Sequence, residues 1–184
     1  MLEKELKVLL TNEQFNKISN YWKWNKSYEQ INYYYTDKNG IVQQKNITVR
    51  VRDKNGEYIL QVKVPYETCD SIKISEEFEK KVEKVYKKIS PDEIYQLTHI
   101  QLPELYLIGK LKTYRKENTN YKGCTICLDK NKYGNKVDNE LEIEYVDSLD
   151  PQILIILREM QIKYEEKCDG KFTRFMAHFN KTEC

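Results

Sequence analysis

The chain has 184 residues, a mass of 22.2 kDa and a formal net charge of +2, from 31 Lys+Arg against 29 Asp+Glu. That near balance excludes a general polyanion binder, which needs a basic surplus, and an acidic disordered tail. The hydrophobic fraction of 40% is enough for a core, read here as one domain over residues 1–184.

The first strand, around Leu2–Val8, puts Glu3, Glu5 and Lys7 on one face and Leu2, Leu6 and Val8 on the other. Thr11 with Gln14 forms a capping box, and Phe15, Ile18 and Trp22 give a helical stripe to about Trp24. Lys38-Asn39-Gly40 reads as a turn. Next come strands Ile47–Arg52 and Tyr58–Val64, joined by the hairpin signal Asp53-Lys54-Asn55-Gly56. The spacing of Val82, Val85 and Tyr86 predicts a helix over Glu79–Ile89. Ser90-Pro91 opens a helix carrying Ile94, Leu97 and Thr98. Strands Thr125–Asp129 and Glu140–Tyr145 flank a turn at Tyr133-Gly134-Asn135. Asp150-Pro151 opens a last helix with Leu154, Ile155, Leu157 and Met160. The fold class is α+β with mostly antiparallel strands.

The longest apolar run, Ile153–Leu157, is far short of the ~20 residues of a membrane span. The opening MLEKELK is too charged for a signal peptide, so a cytoplasmic protein without membrane or nucleic-acid partners is expected. Five cysteines, an odd number, read as reduced thiols. Cys124 and Cys127 resemble half a zinc site, but on a strand their thiols diverge.

Alternation by itself describes any sheet with one wet face. Here the charges also segregate by strand. Glu140, Glu142 and Glu144 are all acidic, whereas Arg50 and Arg52 are both basic. Like charges two positions apart on a strand are about 7 Å apart and repel by about 2 kcal/mol at an effective dielectric near 20. In an enclosed space such carboxylates require cations, and hard Mg²⁺ or Mn²⁺ fits them. Apolar faces covered by amphipathic helices, with charged faces turned inward, imply a closed antiparallel β-barrel with a charged lumen. One sector would hold metal and the other a polyanion such as phosphate.

The same residues resemble the CYTH superfamily, the triphosphate tunnel metalloenzymes. Glu3-Lys4-Glu5-Leu6-Lys7 has the family's ExExK pattern. Tyr34-Tyr35-Thr36-Asp37, Arg50-Val51-Arg52, Leu60-Gln61-Val62-Lys63, Glu77-Phe78 and Thr113-Tyr114-Arg115 follow in family order. Cys127-Leu128-Asp129, Glu140-Leu141-Glu142-Ile143-Glu144, Lys171 and Arg174 complete it. The nearest likeness is to small bacterial members often labelled adenylate cyclases.

The resemblance implies an eight-stranded triphosphate tunnel using Mg²⁺ or Mn²⁺. Glu3, Glu5, Asp129, Glu140, Glu142 and Glu144 would hold metal, with Glu77 as a further ligand. Glu5, Glu142 and Asp129 would be catalytic. Lys7, Tyr34, Arg50, Arg52, Lys63, Arg115, Lys171 and Arg174 would contact phosphate. The expected activity is hydrolysis of a small triphosphate, with inorganic tripolyphosphate favoured. The alternatives are an adenylate cyclase making cyclic AMP and pyrophosphate, or a non-catalytic polyphosphate or nucleotide module. Dimers occur in the family, so a homodimer is a further expectation. Two positions depart from the family pattern: Ser75, where many members carry Arg or His, and Thr113, where some short members carry Lys.

Overall fold

Alternating strands and capped helices resolve into a barrel with an outer coat. The computed structural model describes residues 2–69, 72–166 and 168–182. The strands are β1 (Leu2–Leu10), β2 (Lys26–Thr36), β3 (Thr48–Lys54), β4 (Glu57–Cys69), β5 (Ile72–Val82), β6 (Lys88–Ile89), β7 (Leu105–Asn118), β8 (Cys124–Tyr133) and β9 (Lys136–Tyr145). The helices are α1 (Asn12–Tyr21), α2 (Ile41–Gln44), α3 (Pro91–Thr98), α4 (Pro151–Glu159) and α5 (Lys171–Thr182). Eight strands run in the order β2-β3-β4-β5-β1-β9-β8-β7, and β2 pairs with β7 to close the ring. Every pairing is antiparallel, and the two-residue β6 adds to the start of β7.

The apolar faces of the strands point outward, under helices. Over β1, β8 and β9, the residues Leu6, Ile126, Leu128, Leu141 and Ile143 pack with Ile18 of α1 and Ile153 and Leu157 of α4. Over β2 to β4, Tyr35, Val49, Val51, Leu60 and Val62 pack with Val42 of α2 and Ile94 of α3. The caps read from the sequence are all made. Gln14 N donates to Thr11 Oγ1 and Thr11 N donates to Gln14 Oε1; Ser90 and Asp150 cap α3 and α4.

A third apolar group closes one end of the barrel. Phe175 of α5 packs with Tyr34, Leu111 and Tyr133. A Cβ at Gly109 would lie 2.9 Å from Phe175 Cζ, so β7 needs a residue without a side chain where α5 seats.

Five elements differ from the sequence expectations. Residues 79–89 are not a helix: Glu79 to Val82 extend β5, pairing with Gln61 to Tyr58 of β4, and Lys88–Ile89 is β6. Tertiary pairing overrides the helical spacing of Val82, Val85 and Tyr86. The first helix ends at Tyr21, because Trp22 is already extended (φ −88°, ψ 141°). On α4 the inward residues are Ile153 and Leu157, while Ile155 is 52% exposed. Helices α2 and α5 were not anticipated, although Phe172, Phe175, Met176 and Phe179 have helical spacing.

Candidate functional site: the barrel lumen

The inward face of each strand contributes to one enclosed space. Glu3, Glu5 and Lys7 enter from β1, and Arg50 and Arg52 from β3. Lys63 comes from β4 and Glu77 from β5. Arg115 enters from β7, Asp129 from β8, and Glu140, Glu142 and Glu144 from β9. Cross-strand register sets their neighbours: Lys7 lies opposite Glu142, Lys63 opposite Glu77, Arg115 opposite Asp129, and Asp129 opposite Glu140. Helix α5 closes the far end and brings in Lys171 and Arg174, both buried. At the other end Glu3, Lys63, Glu77 and Glu144 stay partly accessible.

Carboxylates and cations interlock. Arg115 forks onto Asp129, Nε to Oδ1 at 2.8 Å and Nη2 to Oδ2 at 2.7 Å. Lys171 Nζ lies 2.8 Å from Asp129, 2.5 Å from Glu140 and 2.9 Å from Glu142. Lys7 Nζ lies 2.7 Å from Glu142 and 3.1 Å from Glu5. Lys63 Nζ sits 3.0 Å from Glu3 and 3.3 Å from Glu77. Arg174 pairs with Asp138 and Glu140. Arg50 and Arg52 instead reach neutral acceptors: Arg50 Nε donates to Gln61 Oε1 at 2.8 Å and Arg52 Nε to Asn32 Oδ1 at 3.1 Å.

Titration follows these contacts. Burial opposes ionisation of Glu142, but Lys171, Lys7 and Arg115 outweigh it and hold the carboxyl well below its ordinary range. Asp129 is likewise lowered against its burial by Arg115 and Lys171, and Glu5 by Lys7 and Lys63. Burial prevails at Glu140 and Glu144, whose pKa values are raised. It also pushes Glu3 up to about 8, despite Lys63 and with Glu77 and Glu5 adding to the rise. Glu77 is pulled down to about 2: burial is overcome by Lys63 and by the hydrogen bond from Glu3. Arg52 is lowered to about 10 by burial and by the charges of Arg50 and Arg115.

The lumen thus has a carboxylate wall on β5, β1, β9 and β8 and cations on β3, β4 and β7. One oxygen each of Asp129, Glu140 and Glu142, all buried, lies within 4.8 Å of the others. The CYTH domain model matches residues 1–174 of this sequence. The chain belongs to the CYTH family. It is 30% identical over 151 residues to "Putative triphosphatase YjbK" of Bacillus subtilis (strain 168), covering 79% of this chain and 78% of that one.

Two solved structures share this CYTH fold. One is HpAC1 from Hippeastrum, described as a putative adenylyl cyclase with a dominant triphosphatase activity. Its TM-score is 0.73 at 20% identity, covering 96% of each chain. The other is a putative adenylate cyclase from Bacillus halodurans, with a TM-score of 0.71 at 20% identity, covering 93% of this chain and 95% of that one.

The departures from the CYTH pattern also have positions. Ser75 is buried, and its Oγ has no hydrogen-bond partner among the described residues. Thr113 is fully buried and donates to Asn131 Oδ1 at 2.7 Å. The two strand cysteines diverge as the alternation predicts: Cys124 joins the outer core, and Cys127 Sγ points inward, 4.0 Å from Glu144 Oε1. Cys124, Cys127 and Cys168 are free; Cys184 lies outside the described residues. Sequence reasoning missed Asp138, which holds Arg174 and accepts from Tyr133 Oη at 2.6 Å. It also missed the inward amides Gln30, Asn32 and Asn131, whereas Gln61 shares the Lys63 face of β4 as the alternation predicts. Asp138 could have been found by continuing the β9 parity back from Glu140. The amides, being neutral, carry no such signal.

Proposed function

We propose that this CYTH domain is a metal-dependent triphosphatase that releases orthophosphate from the end of a triphosphate chain, with inorganic tripolyphosphate as the favoured substrate. One observation carries the reading: three buried carboxylates converge within 4.8 Å in the same closed lumen as Arg50, Arg52 and Arg115. The chain's likeness to YjbK, named a putative triphosphatase, and to HpAC1, described as having a dominant triphosphatase activity, supports it.

An all-carboxylate donor set suits Mg²⁺ or Mn²⁺. Asp129, Glu140 and Glu142 would hold the ion, with Glu5, Glu144, Glu3 and Glu77 on the same wall. What such an ion supplies when bound is positive charge against phosphate oxygens. The remaining roles belong to the chain itself. Arg50, Arg52, Arg115 and Lys63 bind phosphate oxygens from β3, β7 and β4. Lys7 and Lys171 neutralise the carboxylates and turn to phosphate when substrate enters, with Arg174 beside them on Asp138 and Glu140 and Tyr34 contacting phosphate from β2. Glu5, Glu142 and Asp129 orient the attacking water. The α5 plug limits bulk water at that end.

The test is to incubate the protein with tripolyphosphate or ATP and Mg²⁺ or Mn²⁺ and identify the products. Orthophosphate from tripolyphosphate is the expected result. Cyclic AMP with pyrophosphate from ATP would replace the reading with a cyclase. Tight binding without turnover would replace it with a non-catalytic module.

A further inference from the structure

One strand of the lumen is neither acidic nor basic. The successive inward residues Gln30, Asn32 and Tyr34 of β2 are 2%, 0% and 0% exposed. Gln30 Nε2, Asn32 Nδ2 and Tyr34 Oη each have no hydrogen-bond partner among the described residues. Native interiors leave few such groups unpaired, and each carries a desolvation penalty. Three in sequence on one strand face call for a common explanation.

Their directions are fixed. Asn32 Oδ1 accepts from Arg52 Nε at 3.1 Å, so Nδ2 is the end left to donate. The Tyr34 ring is held by Phe172 and Phe175, each with its centroid 5.1 Å away, which sets the hydroxyl in place. The surroundings are cationic: Asn32 lies opposite Arg52 and Tyr34 opposite Arg50 on β3, while Tyr28, next along the same face, lies opposite Arg115 on β7. In the ring of eight strands β2 stands across from β1, which bears Glu3, Glu5 and Lys7.

We propose that Gln30, Asn32 and Tyr34 form a neutral donor rail that hydrogen-bonds the oxygens of an elongated phosphate chain on the side away from the carboxylate wall. The proposal rests on the triphosphate reading and adds Gln30 and Asn32 to the residues that contact the chain. The ligand must present acceptors, because the free atoms are donors. It must be anionic, because arginines flank the rail. It must be extended, because alternate residues of a strand are spaced about 7 Å apart along it. Neutral donors suit this wall, since a further cation beside Arg50, Arg52 and Arg115 would add repulsion where Arg52 is already lowered to about 10.

Gln30→Met and Tyr34→Phe keep the approximate shape of each side chain; the first removes the amide with its unpaired N–H donor, the second only the unpaired hydroxyl. Two measurements are made on each variant and on the unaltered protein. One is calorimetric titration with tripolyphosphate in metal-free buffer, and the other is the melting temperature without ligand. Each variant should bind tripolyphosphate about tenfold more weakly, the loss of one donor to a charged acceptor. Its ligand-free melting temperature should stay level or rise, because an unsatisfied buried group has gone. Unchanged affinity in both variants overturns the rail, as does weaker binding accompanied by a lower melting temperature, which marks a packing role. If the unaltered protein binds no tripolyphosphate, the rail is overturned. The hydrolysis assay with Mg²⁺ or Mn²⁺ then decides separately whether the triphosphate reading falls with it.

Discussion

Glu142 meets three of the lumen's cations, Lys7, Lys171 and Arg115. Glu142→Gln should lower metal-dependent turnover about 100-fold, as expected for losing a ligand or its support. The fold should survive, because each of those cations keeps another carboxylate: Glu5 for Lys7, Asp129 and Glu140 for Lys171, and Asp129 for Arg115. Full activity in a folded variant would remove Glu142 from the metal set. Arg52 faces the neutral Asn32, so its charge is available to a ligand. Arg52→Ala should weaken substrate binding by about 1.5–3 kcal/mol, read as a rise in KM. These inward charges were legible because side chains alternate with period two, so Glu3, Glu5, Arg50, Arg52, Glu140 and Glu142 declare a face. Gln30 and Asn32 were not, because a neutral amide on a strand looks the same whether its face is solvent or lumen. Partners were not legible either: nothing in the local sequence says that Lys7 meets Glu142 or that Lys171 reaches Asp129.

Helix α2 has only four residues, too short to stand by its own hydrogen bonds. The Asp37 carboxylate supports it by accepting N–H bonds from Asn39, Ile41 and Val42 at 2.9, 3.1 and 2.9 Å. Burial alone would raise this carboxyl, and the N–H groups of Val42, Ile41 and Asn39 reverse that, leaving its pKa below the usual 3.8. The resulting stability is fully present above the unfolded pKa and is lost as pH falls through the lower folded value. Asp37→Asn should cost about 1–2 kcal/mol at neutral pH and flatten the acid limb below about pH 4, measured by denaturant melts across pH. An acid limb identical to that of the unaltered protein would refute this role. At the plug, Gly109→Ala drives a Cβ into Phe175 and should destabilise by about 1–3 kcal/mol. The capped helices α1, α3 and α4 were readable because Thr11, Ser90 and Asp150 bond their own first turns. Helix α5 shows only its phenylalanine spacing, and Glu79 to Val82 were misread because their partner strand, β4, decides their conformation.

For the molecule as a whole, the lumen pairs its carboxylates with lysines and arginines but leaves Arg50 and Arg52 on neutral acceptors, and a bound polyanion with its metal should add to stability by mass action. At a concentration of tripolyphosphate and Mg²⁺ 100 times the dissociation constant, the gain is about 2.7 kcal/mol. For a chain of this length that corresponds to a rise in melting temperature of about 5–10 °C, measurable by calorimetry. No rise at saturating ligand would argue against a binding lumen. The closure of the ring has a consequence in time as well. β1 pairs with β9, and β2 with β7, so the first strand made must wait for the last and no ribbon of neighbouring hairpins completes the cylinder. Contacts that distant in sequence carry a large loop-closure cost before any reward, which slows folding. During synthesis the free edge of β2 waits for β7 and that of β1 for β9, so an unpaired edge that invites aggregation persists until β9 arrives.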